Sequence, residues 1–450
     1  MITRNHRQDH FLEPTTRLTA RFPLPDLAFA KDRLLDWAGT FPVAVYLDSN
    51  EYPATQHSSW ECLVATGAAA VFQAPAGNAF AGLKTFVRQK NDWLFGGFGY
   101  DLKNELEQLR SGHADGIGFP DLFFFQPETV AGIHRAPAGG RWEIEIHTLS
   151  ADPGRIWETI RTLAPAPPEP AGSVALHPRI PKAEYLHTVA AIRQHIIEGD
   201  VYEMNLCQEF YAEQALIRPL PTFRRLNALT RAPFAAYLHW QGRHLLCASP
   251  ERFLRKEGSR LVSQPIKGTR RRHPDPVLDE QVRLELAQSQ KDRAENVMIV
   301  DLVRNDLARH CLPGSVCVEE LFGIYSFQTV HQMISTVAGT LRPEVHPLDA
   351  LRDAFPMGSM TGAPKVMAME LIEHYERSRR GLYSGALGYC TPDGDFDFNV
   401  VIRSILYHEA EQYLSCQVGG AIVYDSVPEQ EYEECLVKIA ALRKALGHEA

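Results

Sequence analysis

No apolar run in this sequence approaches the ~18 residues that a membrane-spanning helix needs, and its start, MITRNHRQDHFLEP, is charged and without an apolar stretch. A soluble chain, with the cytoplasm as its location, is the expectation. The eight cysteines (Cys62, Cys207, Cys247, Cys311, Cys317, Cys390, Cys416 and Cys435) never fall in CxxC spacing, which argues against a zinc ribbon. Most have apolar neighbours, as in Leu206-Cys207 and Leu246-Cys247, so they read as reduced core residues rather than a disulfide frame. Positive charge is also in deficit: 46 Lys+Arg against 55 Asp+Glu give a net charge of -9, which argues against nonspecific nucleic-acid binding. The P-loop pattern GxxxxGK[ST] is missing, because Lys365 follows Pro364 and precedes Val366. No G-x-C-x-G surrounds a cysteine, and no segment repeats at a fixed period.

What is present is a chain of 450 residues, 45% hydrophobic, long enough for one large domain and a smaller one. The Pro- and Ala-rich stretch 164–172 cannot hold a helix or a central strand and reads as a linker. It divides the chain into an N-terminal region (12–163), the linker (164–175) and a C-terminal region (176–446). In the first region β-rich runs at 43–47 and 142–146 alternate with a helical segment at 31–37. In the last, strands at 244–247, 400–406 and 413–417 lie among long helices without regular alternation, which argues against a doubly wound parallel sheet.

Several segments carry chemistry. Lys267 lies in Gln264-Pro265-Ile266-Lys267-Gly268-Thr269-Arg270-Arg271-Arg272, where an apolar flank and three guanidiniums would favour a neutral, nucleophilic amine. The competing reading is a surface lysine in a basic loop. A helix is expected over 290–309, with Asp292 and Glu295 on one face and apolar Val297, Met298, Ile299, Val300, Leu302 and Val303 almost all round, hence buried. Ser426, Pro428 and Glu429 signal a second helix start. Along that helix Tyr432, Cys435, Leu436, Ile439 and Leu442 make an apolar stripe beside a polar one of Glu431, Glu434 and Lys438. Hard oxygen ligands of this kind suit Mg²⁺, with Glu295 and Glu434 as first choices and Glu431 and Asp292 acting through water. The segment 358–365 leads into a helix at 366–376 with Thr361 as N-cap and Pro364 in the first turn, a place that attracts anions. Arg403, in the strand-like run 400–403, is costly to bury without an anion.

The ordered segments GDVYEMNLCQ (199–208), SPERF (249–253), KDRAENVMIVDLVRND (291–306), His331, GSMTGAPK (358–365), GALGY (385–389), FNVVIR (398–403), GGAIVYDS (419–426) and PEQEYEECLVK (428–438) resemble those of the chorismate-utilising enzymes, over roughly residues 180–445. That family includes anthranilate, isochorismate, salicylate and aminodeoxychorismate synthases. GGFGYDLKNELE (96–107) resembles a segment of its N-terminal region. The resemblance implies an α+β fold in which large antiparallel sheets pack face to face with helices outside, as in anthranilate synthase component I, and the active site lies deep between them.

Within the family, lysine at position 267 resembles the aminodeoxychorismate-forming branch, of the route to p-aminobenzoate and folate, where anthranilate synthases carry alanine. The resemblance makes Glu251 the general acid and Lys267 the nucleophile that forms a covalent adduct before ammonia displaces it. Glu203 stands where isochorismate and salicylate synthases carry a water-activating lysine, which disfavours water addition. Arg403 would grip the pyruvyl carboxylate, with Tyr383, Gly419 and Gly420 beside it. His331 would line the ring pocket, and Thr269, Thr361, Gly362 and Lys438 would complete the substrate contacts. Mg²⁺ would clamp the ring carboxylate. Asp48-Ser49 and Pro233-Phe234 match the place of an amino-acid pocket, for which tryptophan in a structural role is the expected guest. Without G-x-C-x-G the chain has no recognisable glutaminase elbow, so ammonia is expected from a separate glutamine amidotransferase subunit. No lyase segment for pyridoxal phosphate is evident. The alternatives are anthranilate synthase component I, a non-catalytic chorismate-binding subunit, and a Mg²⁺-dependent NTPase.

Overall fold

The computed structural model describes residues 15–51, 60–136, 140–164 and 173–448. The charged start (1–14) and most of the expected linker (165–172) lie outside the described residues.

Among the described residues two antiparallel sheets, of twelve and ten strands, form an α+β architecture. Alternation explains why the central strands of the larger sheet read as almost continuous apolar runs. In Val43–Asp48, Val43 and Val45 face the smaller sheet while Ala44 and Tyr46 face the helices Leu27–Ala38 and Pro219–Thr230. Strands Cys62–Thr66 and Arg243–Ser249 divide in the same way, so both faces of this sheet are covered. Between the sheets the Phe123 ring lies 4.8 Å from Trp240 of the opposite sheet, while on the other face of the smaller sheet Phe98 lies 5.1 Å from Phe124, 5.2 Å from Phe398 and 5.7 Å from Phe80 of the helix Ala79–Lys90. Truncating one such ring to alanine costs about 3–5 kcal/mol.

The expected division into a larger and a smaller domain is not how the chain folds. Strand Val43–Asp48 pairs with Phe234–Trp240 in one sheet, and Leu94–Phe98 pairs with Ala386–Cys390 in the other. Both sheets therefore run across the 164–175 boundary. A proline-rich segment breaks local structure, but it does not prevent long-range pairing of the strands on either side of it.

Other local expectations shift. The strand expected over 400–406 is two strands, Phe396–Val400 and Ser404–His408, separated by a break that holds Arg403 at φ 52°. The helix Gln290–Ala308 buries one face only, through Asn296, Ile299, Val300 and Leu307, and leaves Val297 41% exposed. The helix Pro428–Ala445 has Val427, not Ser426, at its N-cap, and the Ser426 hydroxyl donates instead to Glu431 (2.7 Å). Thr361 caps no helix: the helix Lys365–Tyr375 starts after Pro364, and the Thr361 hydroxyl is turned back onto the Met357 carbonyl (3.2 Å). Seven of the eight cysteines are buried, and all eight are free thiols; Cys317 is exposed.

The edges of the two sheets place the site. Strand Ile266–Arg271 lies at a corner of the smaller sheet, paired with Val330–Thr340 alone, while Glu203–Ala212 lies one short strand, Gly362–Ala363, from the end of the larger. Their side chains converge where both sheets stop.

Candidate active site

Lys267 is reached through a local irregularity. Strand Ile266–Arg271 slips register against Val330–Thr340 between Ile266 and Thr269, and Gly268 there adopts φ +90°. A Cβ at Gly268 would lie 3.0 Å from both Asp292 and Leu286, so glycine is needed for the conformation and for the close packing of the helices. The kink sends the Lys267 side chain inward, where it is 9% exposed and its Nζ donates to Glu203 Oε1 at 2.8 Å. Burial pushes the amine's pKa down, but the carboxylates of Glu203, Glu295 and Glu251 push it up by more, and it ends above its ordinary value. Lys267 is thus an ammonium at rest, contrary to the neutral amine expected from its sequence neighbours. The three arginines do not act on it: Arg270 donates to Asp292 (2.6 Å), Arg272 to Asp279 (2.7 Å), and Arg271 is exposed.

Glu251 lies in the two-residue link between strands Arg243–Ser249 and Arg252–Glu257 and is buried. Burial raises its pKa from 4.5 to about 7, against the opposing pull of Ser359, Lys267 and the Ile266 amide. A carboxyl tuned in this way holds a proton near neutrality and can donate it.

Three of the four expected metal carboxylates come together. The ammonium of Lys291 lies 3.9 Å from Glu295 and 4.0 Å from Glu431, so one cation already reaches acids from two helices. A Cβ at Gly420 would sit 3.4 Å from both Glu431 and Glu434; the missing side chain is what lets these acids close over the strand. Burial holds the carboxyls of Glu295, at about 7, and Glu431 above their ordinary values, whereas Lys438 draws Glu434 below. Partly buried carboxylates brought together from two helices fit a hard divalent cation. The tight three-ligand clusters among the described residues are elsewhere, at His239, His244 and Glu409 and at His195, Glu198 and Asp200, so the acids around Lys291 form an open set. An open set suits Mg²⁺, which keeps part of its water. Asp292 does not join it: its carboxylate is taken by Arg270 and faces Gly268.

Arg403 is half-buried, its guanidinium has no hydrogen-bond or ion-pair partner among the described residues, and desolvation lowers its pKa against the pull of Glu434 and Tyr383. A half-buried guanidinium without a partner, on a backbone held at positive φ, is arranged for an anion. Tyr383 lies with its hydroxyl 3.7 Å from the Cys207 thiol. Gly419 and Gly420 are laddered against Cys207 and Leu206, and Lys438 Nζ donates to the Gly419 carbonyl (2.6 Å) and pairs with Glu434. Gly362 presses so closely on Glu203 that a Cβ would lie 2.2 Å from its carbonyl oxygen, while the Thr361 carbonyl accepts from the Asn205 amide (2.7 Å). Thr269 receives a long hydrogen bond from Gln332 (3.4 Å). Both His331 nitrogens are engaged, by Ser326 (2.8 Å) and by Asp279 (3.0 Å), which also binds Arg272. In this arrangement His331 anchors the Pro276–Gln288 helix.

The pair Arg380–Glu376 carried no sequence signal. Arg380 is fully enclosed; it donates to both Glu376 oxygens (2.9 and 2.6 Å), to Met360 O (2.6 Å) and to Asn205 O (3.0 Å), and Glu376 accepts from the Cys207 amide (2.8 Å). One ion pair thus ties the 358–361 turn to the strand that carries Glu203. Its i, i+4 spacing is common on solvated helices, and only tertiary burial distinguishes it.

Asp48, Ser49, Pro233 and Phe234 line one cavity with Glu61 and Tyr389. The Asp48 carboxylate is already occupied by Lys31 (2.7 Å), Tyr46 (2.9 Å) and the Asn50 amide (2.8 Å). The Ser49 hydroxyl donates to Glu61 (2.6 Å).

Residues 43–444 match the family model described as chorismate binding enzyme. The chain is 38% identical over 357 residues to aminodeoxychorismate synthase component 1 of Salmonella typhimurium, covering 76% of this chain and 74% of that protein. It is 43% identical over 268 residues to a probable chloroplastic aminodeoxychorismate synthase of Oryza sativa, covering 59% of this chain and only 30% of the rice protein. To anthranilate synthase component 1 of Thermus thermophilus it is 36% identical over 357 residues, covering 77% and 76%. Among solved structures, the menaquinone-specific isochorismate synthase of Escherichia coli superposes with a TM-score of 0.73 at 19% identity, covering 96% of this chain and 95% of that one. Anthranilate synthase component I of Streptococcus pneumoniae superposes at 0.69 with 23% identity, covering 98% and 95%. Helices long and apolar enough to cross a membrane are absent among the described residues.

Proposed function

The chain belongs to the chorismate-binding enzyme family, and from that premise we propose that it converts chorismate and ammonia to 4-amino-4-deoxychorismate. The observation that carries the reading is the pairing of a buried lysine with a buried, protonatable glutamate at the meeting of the two sheet edges. The names of the Salmonella and rice relatives support it.

Chorismate's 4-hydroxyl is a poor leaving group. In the proposed sequence Glu251 gives its proton to that hydroxyl, the C4–O bond breaks and water departs, while the Lys267 amine forms a bond to C2 and the ring double bonds shift. Ammonia then bonds to C4, the double bonds shift back, and the C2–N bond breaks to release Lys267. The enolpyruvyl group is kept throughout. Arg403 fits the substrate's carboxylate as a planar fork. Glu295 and Glu434, with Glu431 alongside, would hold Mg²⁺, which when bound neutralises the ring carboxylate and steadies charge in the ring.

Ammonia reaches this chain from a separate glutamine amidotransferase subunit in this reading, and the product passes to a lyase that removes pyruvate on the way to p-aminobenzoate and folate. Incubation with chorismate, Mg²⁺ and ammonium followed by product mass spectrometry tests it. The mass of aminodeoxychorismate is expected; anthranilate, isochorismate or unchanged chorismate each overturn it.

A further inference from the structure

The proposed reaction contains a difficulty that the geometry exposes. Lys267 must attack as a neutral amine with a free lone pair, yet its nitrogen donates to the Glu203 carboxylate at 2.8 Å. The carboxylates facing it are Glu203, Glu251 and Glu295, from three different parts of the fold. Glu251 must keep its own proton for the departing hydroxyl. Glu295 is assigned to the metal. Glu203 remains, 1% exposed, with Oε1 on the Lys267 nitrogen and with Oε2 buried and without any hydrogen-bond partner among the described residues. Its position is held closely: it opens the strand Glu203–Ala212, lies opposite Ala363, and has the Gly362 backbone against its carbonyl. A buried carboxylate oxygen left unpaired at a fixed point is costly unless a donor arrives there.

Resting on the function proposed above, we propose that Glu203 is the base that frees Lys267, and that its second oxygen receives the incoming ammonia. Glu203 Oε1 takes a proton from the Lys267 ammonium, giving a neutral amine and a neutral carboxyl. The amine bonds to C2 while Glu251 protonates the leaving hydroxyl. Ammonia donates one N–H to Oε2, which points its lone pair toward C4. When the C2–N bond breaks, Lys267 leaves as a neutral amine and recovers its proton from Glu203. The new C4 ammonium gives one proton to Glu251, so both acids return to their starting states and the net change is chorismate plus ammonia to aminodeoxychorismate plus water. Gly362 acts as a positioning residue, since any side chain there would displace Glu203.

The isosteric variant Glu203→Gln separates this role from that of a mere counter-charge. If Glu203 is the base, adduct formation, followed by rapid quench and intact-protein mass spectrometry without ammonia, falls by about 10²–10⁴-fold at neutral pH. The variant's rate then climbs with pH as solvent takes over the deprotonation. If Glu203 only holds the ammonium by its charge, its removal lets the Lys267 amine deprotonate more easily, and adduct formation is unchanged or faster. That result overturns the proposal. Saturation by ammonia supplies the second readout: the Gln amide oxygen still accepts an N–H and keeps it, whereas Glu203→Ala loses it. Equal ammonia saturation in Gln and Ala variants that still bind chorismate in calorimetry removes the ammonia role. A wild-type chain that makes aminodeoxychorismate without any adduct overturns the covalent reading beneath, and this assignment with it.

Discussion

Glu251→Gln tests the site where structure and chemistry are most tightly joined. Burial lifts the carboxyl from 4.5 to about 7, and at 1.36 kcal/mol per tenfold step this is a preference of roughly 3 kcal/mol for the neutral form. Two consequences have opposite signs. For catalysis, the proton is available below about 7 and lost above it, so kcat/KM for chorismate, measured at saturating Mg²⁺, should fall on the alkaline side with a midpoint near 7. Glutamine cannot supply the proton, and its kcat/KM should drop by about 10²–10⁴-fold with that limb gone. For stability, the folded-state pKa lies above the unfolded one, so the native state binds more protons between pH 4.5 and 7 and loses stability as pH rises through that window. Glu251→Gln removes the penalty. It should match wild type in denaturant melts at pH 4 and exceed it by up to ~3 kcal/mol at pH 8. An active Glu251→Gln variant that keeps the alkaline limb, or one no more stable than wild type at pH 8, would refute both the burial argument and the acid assignment.

Lys267→Ala should abolish the substrate-derived adduct in intact-protein mass spectra while chorismate still binds in calorimetry; aminodeoxychorismate formed at the wild-type rate would sink the nucleophile. It also leaves Glu203 buried without its partner, and breaking such a pair costs about 3–5 kcal/mol, so a lower melting temperature is expected. Glu295→Gln and Glu434→Gln should each weaken Mg²⁺ binding by calorimetry and lose nearly all turnover with the fold intact, and turnover within twofold of wild type at limiting Mg²⁺ would remove that carboxylate from the metal site. The purified single chain should use ammonium salts but not glutamine, with turnover at a fixed pH rising with the concentration of free NH₃; efficient use of glutamine would contradict the two-subunit arrangement. Tryptophan or a related amino acid should bind the Asp48–Phe234 cavity without changing turnover, and flat calorimetric titrations against a chain with no ligand already bound would dispose of that guest.

The sequence alone determined which groups are present and in what order, and it pointed to sheets covered on both sides. A β-rich apolar run at 43–47 marked a strand, and i, i+3 spacing placed Glu431 and Glu434 on one stripe, because these signals depend only on residues a few positions apart. Lys267, Glu251, Glu295 and Arg403 were all legible as candidates for the same reason: their types and flanking motifs are local. Charge state was not. The arginines nearest Lys267 in sequence turn away to Asp292 and Asp279, while the carboxylate that sets its protonation, Glu203, is 64 residues distant. Asp292, one helix turn from Glu295, was lost to Arg270 by the same kind of competition. Nor did the proline-rich stretch forecast that strands on either side of it would share both sheets. Pairing, burial and the field around an ionisable group are sums over neighbours in space, and only the folded chain decides who those neighbours are.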